Sequence, residues 1–174
     1  MTDFTQKLDY YINQYDLDKT IFDLGKEALK KGWLNKEEFL TICLWKSRRP
    51  KKLYNQNSNS DIINKTKLCF IENDELKKIQ ILTELKGVRI PTASALLSVT
   101  NPFDYPIIDE RCIQSLNYLD HIKWTTITEN NWLEYLMIVR NIAKTHNKTA
   151  REVEKGLFAF NRIQLDKEYI NLYK

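Results

Sequence analysis

Glycine and proline are scarce in this chain, with four of each in 174 residues. They are unevenly placed: Gly87, Pro91, Pro102 and Pro106 lie close together, and Pro50 stands in a basic stretch. These two residues interrupt regular backbone, one by tolerating positive φ and the other by lacking an N–H. A chain this poor in both has few means of making the many turns of a β-sandwich or barrel. The expected fold class is all-α, with one elaborate non-helical feature around residues 85–109.

Apolar residues recur at helical spacing. Asn35 and Glu38 are placed as a capping box ahead of Phe39, Leu40, Cys43 and Leu44. Asp74 and Glu75 open a stripe of Leu76, Ile79, Leu82 and Leu85, where acids suit the positive end of a helix. Thr128 precedes a segment whose Trp132, Leu136, Val139 and Ala143 share a face with Leu133 and Met137. Thr149 and Glu152 make a second capping box before Val153, Leu157 and Phe160. Residues 4–15 and 18–31 are expected to be helical on weaker patterns, and the polar NQNSNSD of 55–61 reads as a loop. No stretch shows sustained strand alternation, and no internal repeat is visible. These stripes describe a packed helical core that takes in Trp124 and Trp132.

Composition narrows the function classes. At 43% hydrophobic and 29% charged residues the chain can build a core under an ordinary polar surface. No apolar run reaches the roughly 18 residues that a membrane span requires. The start, MTDFTQKLDYY, lacks the basic patch and apolar stretch of a signal peptide, so a cytoplasmic location is expected. Cys43, Cys69 and Cys112 are odd in number and widely spaced, and His121 and His146 lie near neither a cysteine nor each other. No disulfide framework and no metal site is expected from them. The net charge of +4 and pI near 8.8 permit a polyanionic partner without requiring one.

The segment LTELKGVRIPTASALLSVTNPFDYPIIDERCI, residues 82–113, reads as helix end, tight turn, helix, Pro-broken loop and new helix. Gly87 supplies a turn between helices, and Pro91 sits where a helix N-terminus has no use for an N–H. The backbone amides of 88–93 would then point outward from a helix N-terminus, an anion site by geometry and dipole. Asp109 is placed to cap the helix that follows.

This segment resembles the helix-hairpin-helix base-excision DNA glycosylase superfamily. LKGVRIPTASALL (85–97) is similar to its hairpin, and YPIID (105–109) to the stretch that carries its catalytic aspartate, at the matching separation. WKSRRP (45–50) and TAREVEKGLFAF (149–160) resemble small bacterial members with the 8-oxoguanine-glycosylase type of fold, so the likeness covers roughly residues 35–162. The resemblance implies one two-lobed helical unit over residues 1–174, with the hairpin at about 74–99. It implies DNA as partner, a damaged base flipped into a cleft between the lobes, and hydrolysis of its N-glycosidic bond. Asp109 would be the catalytic carboxylate, stabilising the sugar's positive charge or activating water. No cofactor is implied beyond a monovalent cation at the hairpin. The chain departs from the pattern where Pro91 stands in place of the lyase lysine and Arg89 in place of a second glycine. The four-cysteine cluster of some members is also absent. The covalent lyase route therefore looks closed.

The remaining candidates follow from charge and aromaticity. Lys46, Arg48, Arg49, Lys51 and Lys52 form a basic run flanked by Trp45 and Tyr54, as a DNA-binding surface with stacking groups would be. A solvated charged face is the plain alternative, and Lys46 or Arg49 could instead reach into the cleft opposite Asp109. Gly87, Val88, Arg89 and Thr92 are the hairpin's DNA-binding candidates; Trp45, Tyr54, Phe103 and Tyr105 are the base-pocket candidates. Asp109 as a cap alone would leave a non-catalytic nucleic-acid-binding module on the same fold, and an interaction protein without nucleic-acid function is a third reading. An open, base-sized cleft at Asp109 separates the first reading from the second.

Overall fold

The computed structural model describes residues 3–15 and 20–165, and among these every regular element is helical. The helices are α1 (Asp3–Gln6), α2 (Leu8–Asn13), α3 (Thr20–Lys31), α4 (Lys36–Lys46), α5 (Lys51–Tyr54) and α6 (Asn59–Ile71). They continue with α7 (Glu75–Thr83), α8 (Ile90–Thr100), α9 (Glu110–Tyr118), α10 (Glu129–Thr145) and α11 (Ala150–Phe160), and a π-helical turn covers Asn161–Leu165. The first two residues of the helix expected over 18–31 lie outside the described residues. No described helix is long and apolar enough to cross a membrane.

Local chemistry sets most helix starts. Asn35 and Thr149 form full capping boxes with Glu38 and Glu152 at α4 and α11. Asp74, Asp109 and Thr128 cap α7, α9 and α10 through side-chain oxygens that accept backbone N–H bonds. The polar stretch 55–61 is not simply a loop: Ser58 accepts from the amide of Asp61 and starts α6 inside it. Met137 also departs from expectation, since it is exposed on α10 while Trp132, Leu136 and Val139 are buried.

The core centres on α8. Every residue from Thr92 to Thr100 is buried, as expected for a helix of small and apolar residues on all sides. It is packed by α3, α4 and α7, while α11 packs on α2, α9 and α10. The two ends of the described chain are thereby joined, with Phe4 and Tyr11 each meeting Phe160 edge to face. Contact between α3 and α8 is backbone-close at Gly25, where a Cβ would fall 1.8 Å from the carbonyl oxygen of Val99.

That contact yields a direct test. Gly25→Ala forces α3 away from α8, and overpacking of this kind costs about 1–3 kcal/mol. At about 2–4 °C per kcal/mol for a chain of this size, the melting temperature should fall measurably by calorimetry. An unchanged value would show that the two helices do not approach this closely.

Candidate active site and nucleic-acid interface

Asp109 stands at the N-cap of α9 with its two carboxylate oxygens divided between tasks. Oδ1 accepts the amides of Arg111 (3.0 Å) and Cys112 (3.2 Å), closing the helix end. Oδ2 lies 3.4 Å from the Lys46 ammonium, and both side chains line an open cleft of about 520 Å3. That volume falls in the range of small-molecule sites, about 300–1,000 Å3. Lys46 is the last residue of α4, so the negative end of one helix carries the cation and the positive end of another carries the anion. Of the two basic residues considered for this position, Lys46 occupies it; Arg49 is exposed outside.

The other walls are Tyr15, Trp45, Ile107, Arg151, Glu154 and Phe158. Arg151 and Glu154 form an ion pair, each almost wholly buried at 3% and 2% exposure. The Arg151 guanidinium also donates to the Tyr15 hydroxyl (2.8 Å) and sits against the rings of Tyr15, Phe22 and Trp45, 5.0 to 5.9 Å from their centroids. Its Nε has no acceptor among the described residues, and ring faces around a desolvated guanidinium supply part of what is missing. Behind Asp109, Cys112 and Tyr135 are buried. Burial, with the Asp109 charge adding to it, pushes both the thiol and the phenol well above their usual ranges. Neither is poised as an anionic nucleophile.

Arg151, Glu154, Tyr15 and Phe158 escaped the sequence reading. A usable signal existed in α11: Arg151 and Glu154 fall in phase with Ala150, Val153 and Leu157, so two charges occupy the core face of the helix.

Of the base-pocket candidates, Trp45 reaches the cleft and three do not. Tyr54 is fully buried, with its hydroxyl 3.2 Å from Thr92 Oγ1 and its ring against Phe39. Tyr105 is buried and donates to Glu75 (2.9 Å) beneath the Arg140 guanidinium. Phe103 is exposed on a different depression beside Arg140 and Lys144. Its loop is pinned by amide bonds from Ala150 and Arg151 to the carbonyls of Phe103 and Pro102.

The turn between α7 and α8 carries Gly87 at φ +83°. Arg89 is the N-cap of α8 at φ −115°, so it avoids positive φ, and Ile90 precedes Pro91 in the first turn. Val88 and Thr92 do not present donors outward. Both are buried, and their amides, with that of Ala93, bond within the turn. The carbonyls of Leu85, Lys86 and Arg89 already accept from Val88, Asn57 and the Thr92–Ala93 pair. Among the described residues no three His, Cys, Asp or Glu side chains converge as a metal site.

The turn is held against the basic segment. Asn57 accepts from the Lys86 amide (2.8 Å) and donates to the Lys86 carbonyl (3.0 Å), while the α-carbon of Gly87 faces Leu53 and Tyr54 of α5. Arg48, Arg49, Lys51 and Lys52 are exposed on one side of this contact, and Lys86 and Arg89 on the other. No family model, curated protein or solved structure matches the chain.

Gly87→Val tests the joint. A valine would hold positive φ and put its Cβ 2.9 Å from that of Leu53. Backbone strain alone costs about 1–3 kcal/mol. Stability should fall, and with it any affinity for duplex DNA measured below the new melting point. Unaltered melting would show that the turn does not lie this close to α5.

Proposed function

We propose that the chain is a DNA-binding hydrolase of the monofunctional glycosylase type, which removes a damaged base by cleaving its N-glycosidic bond. In this reading α7 and α8 are the helix-hairpin-helix of an 8-oxoguanine-glycosylase-like fold, and the cleft receives the extruded base. One observation carries it: Asp109 spends one oxygen on its helix and turns the other into an open cleft of small-molecule size. A residue serving only as a cap would need no such cleft.

The chemistry follows from charge. Cleavage of the C1′–N bond makes the sugar cationic, and a fixed carboxylate in a partly desolvated site stabilises that cation strongly. The same carboxylate can take the proton from the water that adds to C1′. Trp45 and Phe158 offer apolar ring surface for a flat base. Pro91 brings no amine to the start of α8, Lys86 is exposed on the turn outside the cleft, and the amine that does line the cleft, Lys46, is ion-paired with Asp109, which supports hydrolysis over lyase chemistry.

Two measurements test this reading without knowledge of the lesion. A duplex carrying a cationic pyrrolidine in place of the abasic sugar mimics the transition state; its tetrahydrofuran counterpart is the neutral control. The pyrrolidine duplex should bind about 100-fold tighter. Asp109→Asn should keep the fold, since Asn caps as well as Asp, and lose most of that preference. Equal binding of the two duplexes would refute the reading. The second measurement is the slope of log affinity against log salt. Replacing Arg48, Arg49, Lys51 and Lys52 with Gln should flatten it by roughly 0.9 for each phosphate that is no longer neutralised. An unchanged slope would exclude this run from the interface.

A further inference from the structure

We infer that Lys46 is the second reacting group of the cleft, the one that meets the departing base, and that the bases released here are neutral ones whose glycosidic nitrogen gains negative charge as the bond breaks. The inference rests on the glycosylase reading and gives it a substrate class.

When the C1′–N bond breaks, its electron pair goes to the base nitrogen and the sugar is left positive. A neutral substrate thus becomes two opposite charges side by side. The cleft holds a matching pair: the Asp109 carboxylate and the Lys46 ammonium, 3.4 Å apart, with 23% and 17% of their side chains exposed. The other two charges of the cleft, Arg151 and Glu154, are buried against each other and balance. Cys112 and Tyr135, the nearby titratable groups behind Asp109, are held neutral by burial. Asp109 and Lys46 are therefore the charges available to complement the sugar and the base respectively, in a site where such fixed charges act more strongly than in water.

The protons balance. Lys46 gives one to the base nitrogen as the C–N bond breaks. Water adds its oxygen to C1′ and gives a proton to Asp109, which returns it to Lys46. The sum is one water consumed, a hydroxyl on C1′ and a neutral free base. A base that is already cationic, such as an N7-alkylated purine, departs as a neutral molecule. It needs no acid and meets a like charge in Lys46. The substrates that gain from this arrangement are neutral bases whose glycosidic nitrogen becomes negative as the bond breaks, uracil-type pyrimidines being the simplest.

Duplexes carrying 5-fluorouracil, uracil or 7-methylguanine, cut under single-turnover conditions, test the assignment. The wild-type chain should release 5-fluorouracil and uracil and retain 7-methylguanine. Lys46→Met should slow uracil release by about 100-fold, the scale of a lost general acid. It should slow 5-fluorouracil less, because the better leaving group depends less on the acid. Lys46→Gln serves as the second variant if the Met chain melts early. An equal loss on both bases would give Lys46 a merely structural role and overturn the inference. So would preferential release of 7-methylguanine, or release of none of the three by a chain that still prefers the pyrrolidine duplex in an Asp109-dependent way. Absence of that preference sinks the glycosylase reading itself, and this inference with it.

Discussion

The guanidinium of Arg151 is the interaction on which the rest of the cleft depends. From α11 it reaches Tyr15 beyond α2, Phe22 on α3, Trp45 on α4 and Glu154 one turn along its own helix. Residues 15–22, Trp45 and α11, far apart in sequence, thus meet around one buried cation. Tyr15, Trp45 and Glu154 are also walls of the cleft, and Lys46 is the next residue after Trp45. Removing one member of a desolvated pair leaves the other charge stranded, which costs more than the pair itself contributes. The side chain that fixes the shape of the cleft is in this way also one its helix cannot easily lose.

A second constraint acts on the packing around α8. Gly25 lets α3 lie on α8 backbone to backbone, and α8 in turn supports both the turn at Gly87 and the loop toward Asp109, where Ser94 Oγ accepts the amide of Ile108 (3.1 Å). Small residues within α8, Ala93 and Ser94 among them, are what allow three helices to crowd around it. Close packing of this sort passes position along faithfully, because a dense interior has little room to absorb a shift.

Much of this is legible in the sequence where the determining contacts are local. The capping boxes at Asn35 and Thr149 and the cap at Asp109 depend on residues two or three apart, and those spacings are visible without a fold. The start of α6 has its signal too, in Ser58 and Asp61, but the surrounding asparagines give the stretch the look of a loop. Contacts closed by tertiary structure cannot be read in this way. Tyr54 beside four cations has the composition of a surface stacker, yet its ring fills space beneath Thr92. Arg151 and Glu154 have the spacing of a surface ion pair, and only the phase of α11 places them inside. For the cation opposite Asp109 the sequence allows Lys46 or Arg49, and the direction of the last turn of α4 decides between them.

The two-point amide contact of Asn57 has a consequence for how a polyanion would be met. Asn57 holds the Lys86 peptide by both its donor and its acceptor, so the short basic helix and the turn form one rigid piece rather than two arms on separate hinges. The backbone positions that carry these charges are thereby tied together before any partner arrives. On the proposed function, less ordering would then be left for the moment of contact, which would favour a backbone of regular phosphate spacing over a looser chain of equal charge. Selectivity for a regular duplex over a disordered polyanion would then come from stiffness, with no base being read.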